Sequence, residues 1–297
     1  MYAPAPEPDD STRANVFDRT IPVPPASPLH IGEIRAARPA RRWLKVPAEK
    51  PFFTPLLLGM MVAIFTVMSV AGGSLDATES PTLLITWGAK VNRLVYQGEW
   101  WRLITSTFLH GGLLHLFLNG SALYFIGMDL EGFLGKRRFF AIYSISALGG
   151  SVASFISSPF NIPGVGASGA IFGLIGALAV YFGLNRTLFG RIGVMQFRMI
   201  VVVIGLNLLF GLGVGFSGIA MIDNWAHLGG LFAGVAVGLV LSPRYSLSNW
   251  TMPNVRELLR ERSGSLPWVA TALVALNIFF IFIVSLLLIR TGIVLPR

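Results

Sequence analysis

The sequence predicts an all-α polytopic membrane protein: a six-helix core followed by one more C-terminal transmembrane helix. Three observations carry that prediction. Charged residues make up 12% of the 297 residues and hydrophobic residues 54%; a soluble globular chain carries about 25% charged residues. Stretches free of Asp, Glu, Lys and Arg run over 51–75, 103–128, 139–185, 199–222, 224–243 and 263–289. A helix needs about 20 mostly apolar residues to cross a bilayer. Finally, Lys and Arg concentrate in alternate connections between these stretches. The composition excludes a water-soluble enzyme and a disordered chain. There are no cysteines, which excludes a disulfide framework, a thiolate nucleophile and a cysteine-held metal.

Taken in order, residues 1–34 are rich in Pro and polar residues and read as a flexible tail. They lack the apolar core of a cleaved signal peptide. Arg35, Arg38, Arg41, Arg42, Lys45 and Lys50 follow, a set suited to anionic headgroups. The first span is predicted near 54–73. The connection 74–107 mixes Trp87, Leu94, Tyr96, Trp100 and Trp101 with a few charges, a pattern for a segment lying at headgroup level. The second span is predicted near 108–127. The stretch 139–185 is too long for one helix, and the turn-rich run from Ser157 to Gly164 divides it into spans near 139–156 and 167–184. The fifth and sixth spans are predicted near 199–216 and 225–242, and the seventh near 268–289. The domain reading is therefore a cytoplasmic basic tail at 1–50, a core at 51–243, a cytoplasmic linker at 244–266, and the seventh helix with a short outer end at 267–297. No internal repeat is evident, which argues against an inverted-repeat transporter.

With the N-terminus in the cytoplasm, inner segments hold 18 of the 23 Lys and Arg residues. Outer segments hold Lys90, Arg93, Arg102, Arg290 and Arg297. The positive-inside rule then predicts N-terminus in and C-terminus out. The net charge of +9 is topological, and it implies no nucleic-acid partner.

Polar residues inside a span are expensive and are functional candidates. The second span carries His110, His115 and Asn119. His115 and Asn119 share a helix face, whereas His110 would point about 140° away on the same helix. Two readings fit the pair: interhelical hydrogen bonds, or donors to a reacting group. The fourth span opens Gly166-Ala-Ser168-Gly169 after a Gly/Pro-rich turn. Ser168 reads either as a helix N-cap or as a nucleophile that a backbone can approach closely. Free N–H groups at a helix start favour an anion there. The sixth span opens with His227 followed by Gly230, Gly234 and Gly238, and the fourth has Gly169, Gly173 and Ala177 at the same spacing. Such stripes let two helices pack closely, which would bring Ser168 and His227 within reach. In the predicted topology His115, Asn119, Ser168 and His227 all lie just below the outer surface. A serine needs a base to become nucleophilic, and imidazole is the usual one.

At these residues the chain resembles the rhomboid family of intramembrane serine proteases. The resemblance runs over roughly 50–245. It rests on Trp101-Arg102, on His110, His115 and Asn119, on Gly166-x-Ser168-Gly169, and on Ala226-His227 with Gly230 and Gly234. It implies a rhomboid-like six-helix core plus one helix. It also implies a Ser168–His227 dyad without an acid, with His115, Asn119 and the Ser168 N–H as oxyanion hole. Phe172 would pack against the catalytic ring, and Gly166 would leave room beside the nucleophile. Trp101 and Arg102 would shape the first loop. Glu131 would be a structural anchor, although Phe133 stands where some members have its arginine partner. Asp223, in an exposed loop, would not complete a triad. The fifth span would be a lateral gate admitting single-span or polytopic membrane protein substrates from the lipid bilayer. No cofactor or metal is called for, and the topology resembles that of a bacterial plasma-membrane enzyme. A catalytically inactive, client-binding rhomboid-like protein is the alternative; such relatives usually lack the serine or the histidine, and both are present here.

Overall fold

A computed structural model describes residues 20–22, 43–45, 49–217, 222–247 and 259–261. The seventh span, most of the tail and most of the linker lie outside the described residues. Two short antiparallel pairs fall in the regions read as tail and linker. Thr20–Pro22 (β1) pairs with Trp43–Lys45 (β2), and Tyr245–Leu247 (β3) with Leu259–Glu261 (β4).

Everything else regular in the described residues is helical, and six apolar spans follow the predicted order. The first, α1, is Phe53–Gly72. Leu57, Met61, Phe65 and Met68 form its buried stripe, while Val62, Val67 and Val70 face outward. The connection that follows is a folded layer: a 3-10 turn at Asp76–Glu79, then α2 (Pro81–Thr86), α3 (Asn92–Tyr96) and α4 (Arg102–Thr105). Trp100 and Trp101 are exposed on it, as residues of an interfacial belt are.

The second span runs Leu113–Leu134. It consists of α5 (Leu113–Ala122), a π turn at Leu123–Gly127 and α6 (Met128–Leu134). It begins at Leu113 where the sequence predicts 108. Leu109 is extended and Gly112 sits at φ +96°, a conformation open mainly to glycine, so the helix starts after it. Gly135, at φ +81°, ends the span. The remaining spans are α7 (Lys136–Ser157), α8 (Ser168–Leu184), α9 (Arg186–Ser217, interrupted at Gly190) and α10 (Asn224–Leu241). Among the described residues, five spans are long and apolar enough to cross a membrane. The exception, α8, has 17 residues and rises about 25 Å, less than the ~30 Å hydrocarbon core.

Contacts between connections identify the two ends of the bundle. At one end Lys90, between α2 and α3, bridges to Gly164, before α8, and lies beside Asp223, before α10. At the other, Glu131 on α6 meets the start of α1. There too Asn185, between α8 and α9, donates to Pro243 O after α10 and accepts from Tyr245 N. The six spans therefore alternate in direction.

The centre is built from small residues. A Cβ placed on Gly230 would lie 1.9 Å from Gly169 O, and one on Gly234 would lie 2.0 Å from Gly173 O. At Gly238 a Cβ would lie 3.0 Å from Ala177 Cα. The two stripes meet rung by rung, as their spacing predicts. The sequence reading missed the third partner: α7 brings Gly149 against Gly229 and Ala233, and Gly150 against Ala226 and Gly169. In lipid, van der Waals contact between close backbones is a main force holding helices together.

Candidate active site

Ser168 is the first residue of α8, and the N-cap is Ala167. Its hydroxyl is thus not spent on capping, which removes the N-cap reading. Ser168 Oγ lies 2.9 Å from Nε2 of His227, in the first turns of α10. The His227 ring stacks on Phe172, one turn into α8, with centroids 4.3 Å apart and planes 8° from parallel. That stack fixes the ring orientation. It also places an aromatic face against any imidazolium that forms, a contact worth about 0.5–2 kcal/mol. Among the described residues His227 Nδ1 is buried without a hydrogen-bond partner.

Asp223 does not fill that vacancy. Its carboxylate caps α10, with Oδ1 accepting from Ala226 N at 3.0 Å and Ser158 Oγ at 3.2 Å, and Oδ2 accepting from Ser154 Oγ. Nor is it in an exposed loop: its side chain is 25% exposed and lies 3.7 Å from the buried Lys90 ammonium.

His115 and Asn119, on α5, reach the site through Gly166. That glycine has φ +118°, and a Cβ there would fall 2.7 Å from His115 Nε2 and 3.6 Å from Asn119 Nδ2. Its own N–H donates to Ser106 O at 2.9 Å. A side chain there would collide with the His115 ring and crowd the Asn119 amide, whose Nδ2 donates to His115 O at 3.3 Å, so glycine is required for backbone and space alike. Leu113, Leu114, Phe117 and Leu118 are exposed on the rest of α5. The polar pair therefore faces the bundle while its neighbours face lipid. The first turn of α8 has no side-chain cap, leaving its N–H groups open to an anion.

His110 departs from expectation. Its ring is fully buried and lies 5.1 Å from that of His115, edge to face. The helical-wheel angle does not apply, because His110 precedes the helix and the chain turns at Gly112. Among the described residues no group of His, Cys, Asp and Glu has the makings of a metal site.

A family model for the Rhomboid domain matches residues 97–244. The chain is 44% identical over 195 residues to the rhomboid protease GluP of Bacillus subtilis (strain 168), covering 64% of this chain and 36% of GluP. It is 42% identical over 165 residues to RHOMBOID-like protein 5 of Arabidopsis thaliana, covering 54% of this chain and 51% of that protein. With the putative rhomboid protease YdcA of B. subtilis it shares 37% identity over 133 residues, covering 41% of this chain and 67% of YdcA. The chain belongs to the rhomboid family. Its matches to GluP and RHOMBOID-like protein 5 span about half or less of those proteins' lengths. Family membership and the apolar spans make it an integral, multi-pass membrane protein.

Within this rhomboid fold Arg102 is a buried staple. It donates from Nε to Glu99 Oε2 at 2.7 Å, and from an Nη to Ile85 O at 2.7 Å and Ala89 O at 3.0 Å. The Trp101 ring is exposed, while its carbonyl accepts from Ile104 N and Thr105 N at 2.9 Å each. Glu131 has found partners other than an arginine. Its two oxygens accept from Phe52 N, Phe53 N, Thr54 N and Thr54 Oγ1, all at 2.7–2.8 Å. The carboxylate caps α1 from another helix, where the dipole favours negative charge. Phe133 stacks on Tyr181 of α8, with ring centroids 5.0 Å apart. Sequence reasoning missed Lys90, Glu99 and Asn185, all of which look like ordinary loop residues along the chain.

Proposed function

We propose that this chain is an intramembrane serine endopeptidase that cleaves transmembrane segments of single-span or polytopic membrane proteins near the outer face of the bilayer. The observation that carries the reading is the 2.9 Å contact between Ser168 Oγ and His227 Nε2, within a fold whose relatives include a named rhomboid protease.

Chemistry follows from that contact. His227 Nε2 takes the hydroxyl proton as Ser168 Oγ attacks a peptide carbonyl carbon. The oxygen of the tetrahedral intermediate becomes negative, and His115, Asn119 and the Ser168 N–H donate to it. Collapse breaks the C–N bond, and His227 returns the proton to the leaving amine. A water, deprotonated by the same nitrogen, then hydrolyses the acyl-enzyme. The positive charge on His227 rests against the Phe172 ring throughout.

In this reading the unit at 51–243 is the protease core, flanked by the tail at 1–50, the linker at 244–266 and a seventh helix at 267–297. The N-terminus is cytoplasmic, the C-terminus outside and the host membrane a bacterial plasma membrane. Ser168 stands below the outer surface because α8 is too short to span. The fifth span is the lateral gate: Leu206, Leu209 and Phe210 are 60–66% exposed, and Asn207 donates within its own helix, to Val203 O.

Detergent-purified protein with a model single-span substrate tests this. Wild type should cleave it, whereas Ser168→Ala and His227→Ala should be inactive yet folded. A wild type that neither cleaves nor takes a fluorophosphonate label at Ser168 would overturn the reading in favour of a client-binding protein.

A further inference from the structure

One loop residue touches the supports of both Ser168 and His227. Lys90 lies between α2 and α3. Its N–H donates to Gly164 O at 3.0 Å, and its carbonyl accepts from Gly164 N at 2.8 Å. Gly164 is four residues before Ser168 on the same non-helical run. A Cβ on Gly164 would sit 3.1 Å from Lys90 Cε, so the lysine stem lies across that strand of chain. Beyond it, Nζ donates to Ser154 Oγ of α7 and stands 3.7 Å from Asp223 Oδ2. Asp223 caps α10 through Ala226 N, and its carbonyl accepts from His227 N at 3.2 Å. The lysine side chain is 3% exposed.

A lysine serving only as a loop charge stays in water. Burying an ammonium costs several kcal/mol unless it is paired and hydrogen-bonded. Here burial lowers the lysine's proton affinity, and the Asp223 carboxylate partly restores it. The groups facing Nζ from the packed elements are Asp223 ahead of α10 and the neutral Ser154 of α7. Ser158, also on the α7 side, completes the carboxylate's shell. A buried ion pair is weak evidence for stability, and its better-attested use is to fix a register.

We propose that Lys90 and Asp223 form a positioning pair that sets the Ser168–His227 distance, with Lys90 holding the serine's loop by its backbone and the histidine's helix by its side chain. Neither residue touches the reacting atoms. The proposal rests on the reading of Ser168 and His227 as the reacting pair.

The test compares wild type, Lys90→Met, Asp223→Asn, the double variant and Lys90→Arg in detergent. Cleavage of a model single-span substrate, the rate of fluorophosphonate labelling at Ser168 and the thermal unfolding midpoint are read for each. Each single change should lower kcat and the labelling rate about 10- to 100-fold, with KM within about twofold, because a misplacement near 1 Å is costly at a reacting pair. The double variant should be no slower than the slower single, the signature of a shared role. Lys90→Arg, which keeps the charge, should recover part of the rate. Asp223→Asn retains an oxygen to cap Ala226 N, so it reports on the pair even where Lys90→Met fails to fold. Full activity in Asp223→Asn, or losses that multiply in the double variant, would overturn the proposal. Absence of labelling and cleavage in wild type would instead remove the dyad reading on which it stands.

Discussion

Among the described residues no carboxylate hydrogen-bonds to His227 Nδ1, and Asp223 is committed to a helix cap and a lysine. Orientation comes from the parallel Phe172 ring and from backbone packing around α10. In the proposed mechanism the neighbouring donors carry much of the transition-state stabilisation. Asn119→Ala should therefore slow kcat on the order of 100-fold or more while leaving the unfolding midpoint near that of wild type; unchanged turnover would take Asn119 out of the oxyanion hole. At this scale the sequence shows in its small-residue stripes why Ser168 and His227 meet at 2.9 Å, and in a four-residue spacing why His115 and Asn119 share a face; the places of Gly166 beside that pair and of Phe172 against the His227 ring come from the family resemblance. The direction of His110, expected only as a neighbour of the site, escapes the helical angle because the chain turns at Gly112. The partners of Glu131 are invisible in the sequence because three of the four are backbone N–H groups more than 75 positions away, and a backbone donor has no signature in a sequence.

The elements meet through glycine. α8 and α10 approach until Gly234 and Gly173 leave no room for a methyl group, with 2.0 Å from a Gly234 Cβ to the facing oxygen. Gly234→Ala should push the helices apart. The cost is at or beyond the upper end of the ~1–3 kcal/mol typical of overpacking, because the obstacle is backbone and cannot rotate away. Cleavage should fall with it. Gly59→Ala on α1 is the control, since a Cβ there meets nothing within 4 Å; helix propensity favours it by up to about 1 kcal/mol. Thermal unfolding of the two variants side by side checks the contrast, and equal midpoints would refute the contact. The stripes on the fourth and sixth spans were readable from their four-residue spacing. The share taken by α7 was not, because Gly149-Gly150 stands as an adjacent pair instead of a stripe. Boundaries were least legible where glycine geometry set them, as at Gly112 and Gly135.

Among the described residues the bundle has two polar ends joined by an apolar middle, and they are built differently. The end holding Glu131 is tied by a carboxylate to a helix start and by the Asn185 amide to the chain after α10. The end holding Lys90 is tied by a buried pair of opposite charges, and this difference predicts a separation of stability from activity with pH. Lys90 loses its proton below the usual lysine range because burial outweighs the attraction of Asp223. An unfolded chain keeps that proton up to the ordinary value of 10.5. The unfolded state therefore binds more protons in the interval between, and the Lys90 contribution to stability rises with pH across it. The positioning pair is lost over the same interval. Activity should fall as pH approaches 10.5 while the Lys90 term does not lower the midpoint, and Lys90→Arg should move the activity loss to higher pH. Parallel pH profiles of kcat and of the unfolding midpoint, for both proteins, check this.

The glycine seam has a metrological consequence. Where side chains separate two helices, their spacing is the sum of flexible parts, each with rotamers to choose. Between α8 and α10 the spacer is the peptide unit itself, whose dimensions no substitution elsewhere can alter. The gap between Ser168 and His227 is thus gauged by covalent geometry at one face and trimmed by a single ion pair at the end.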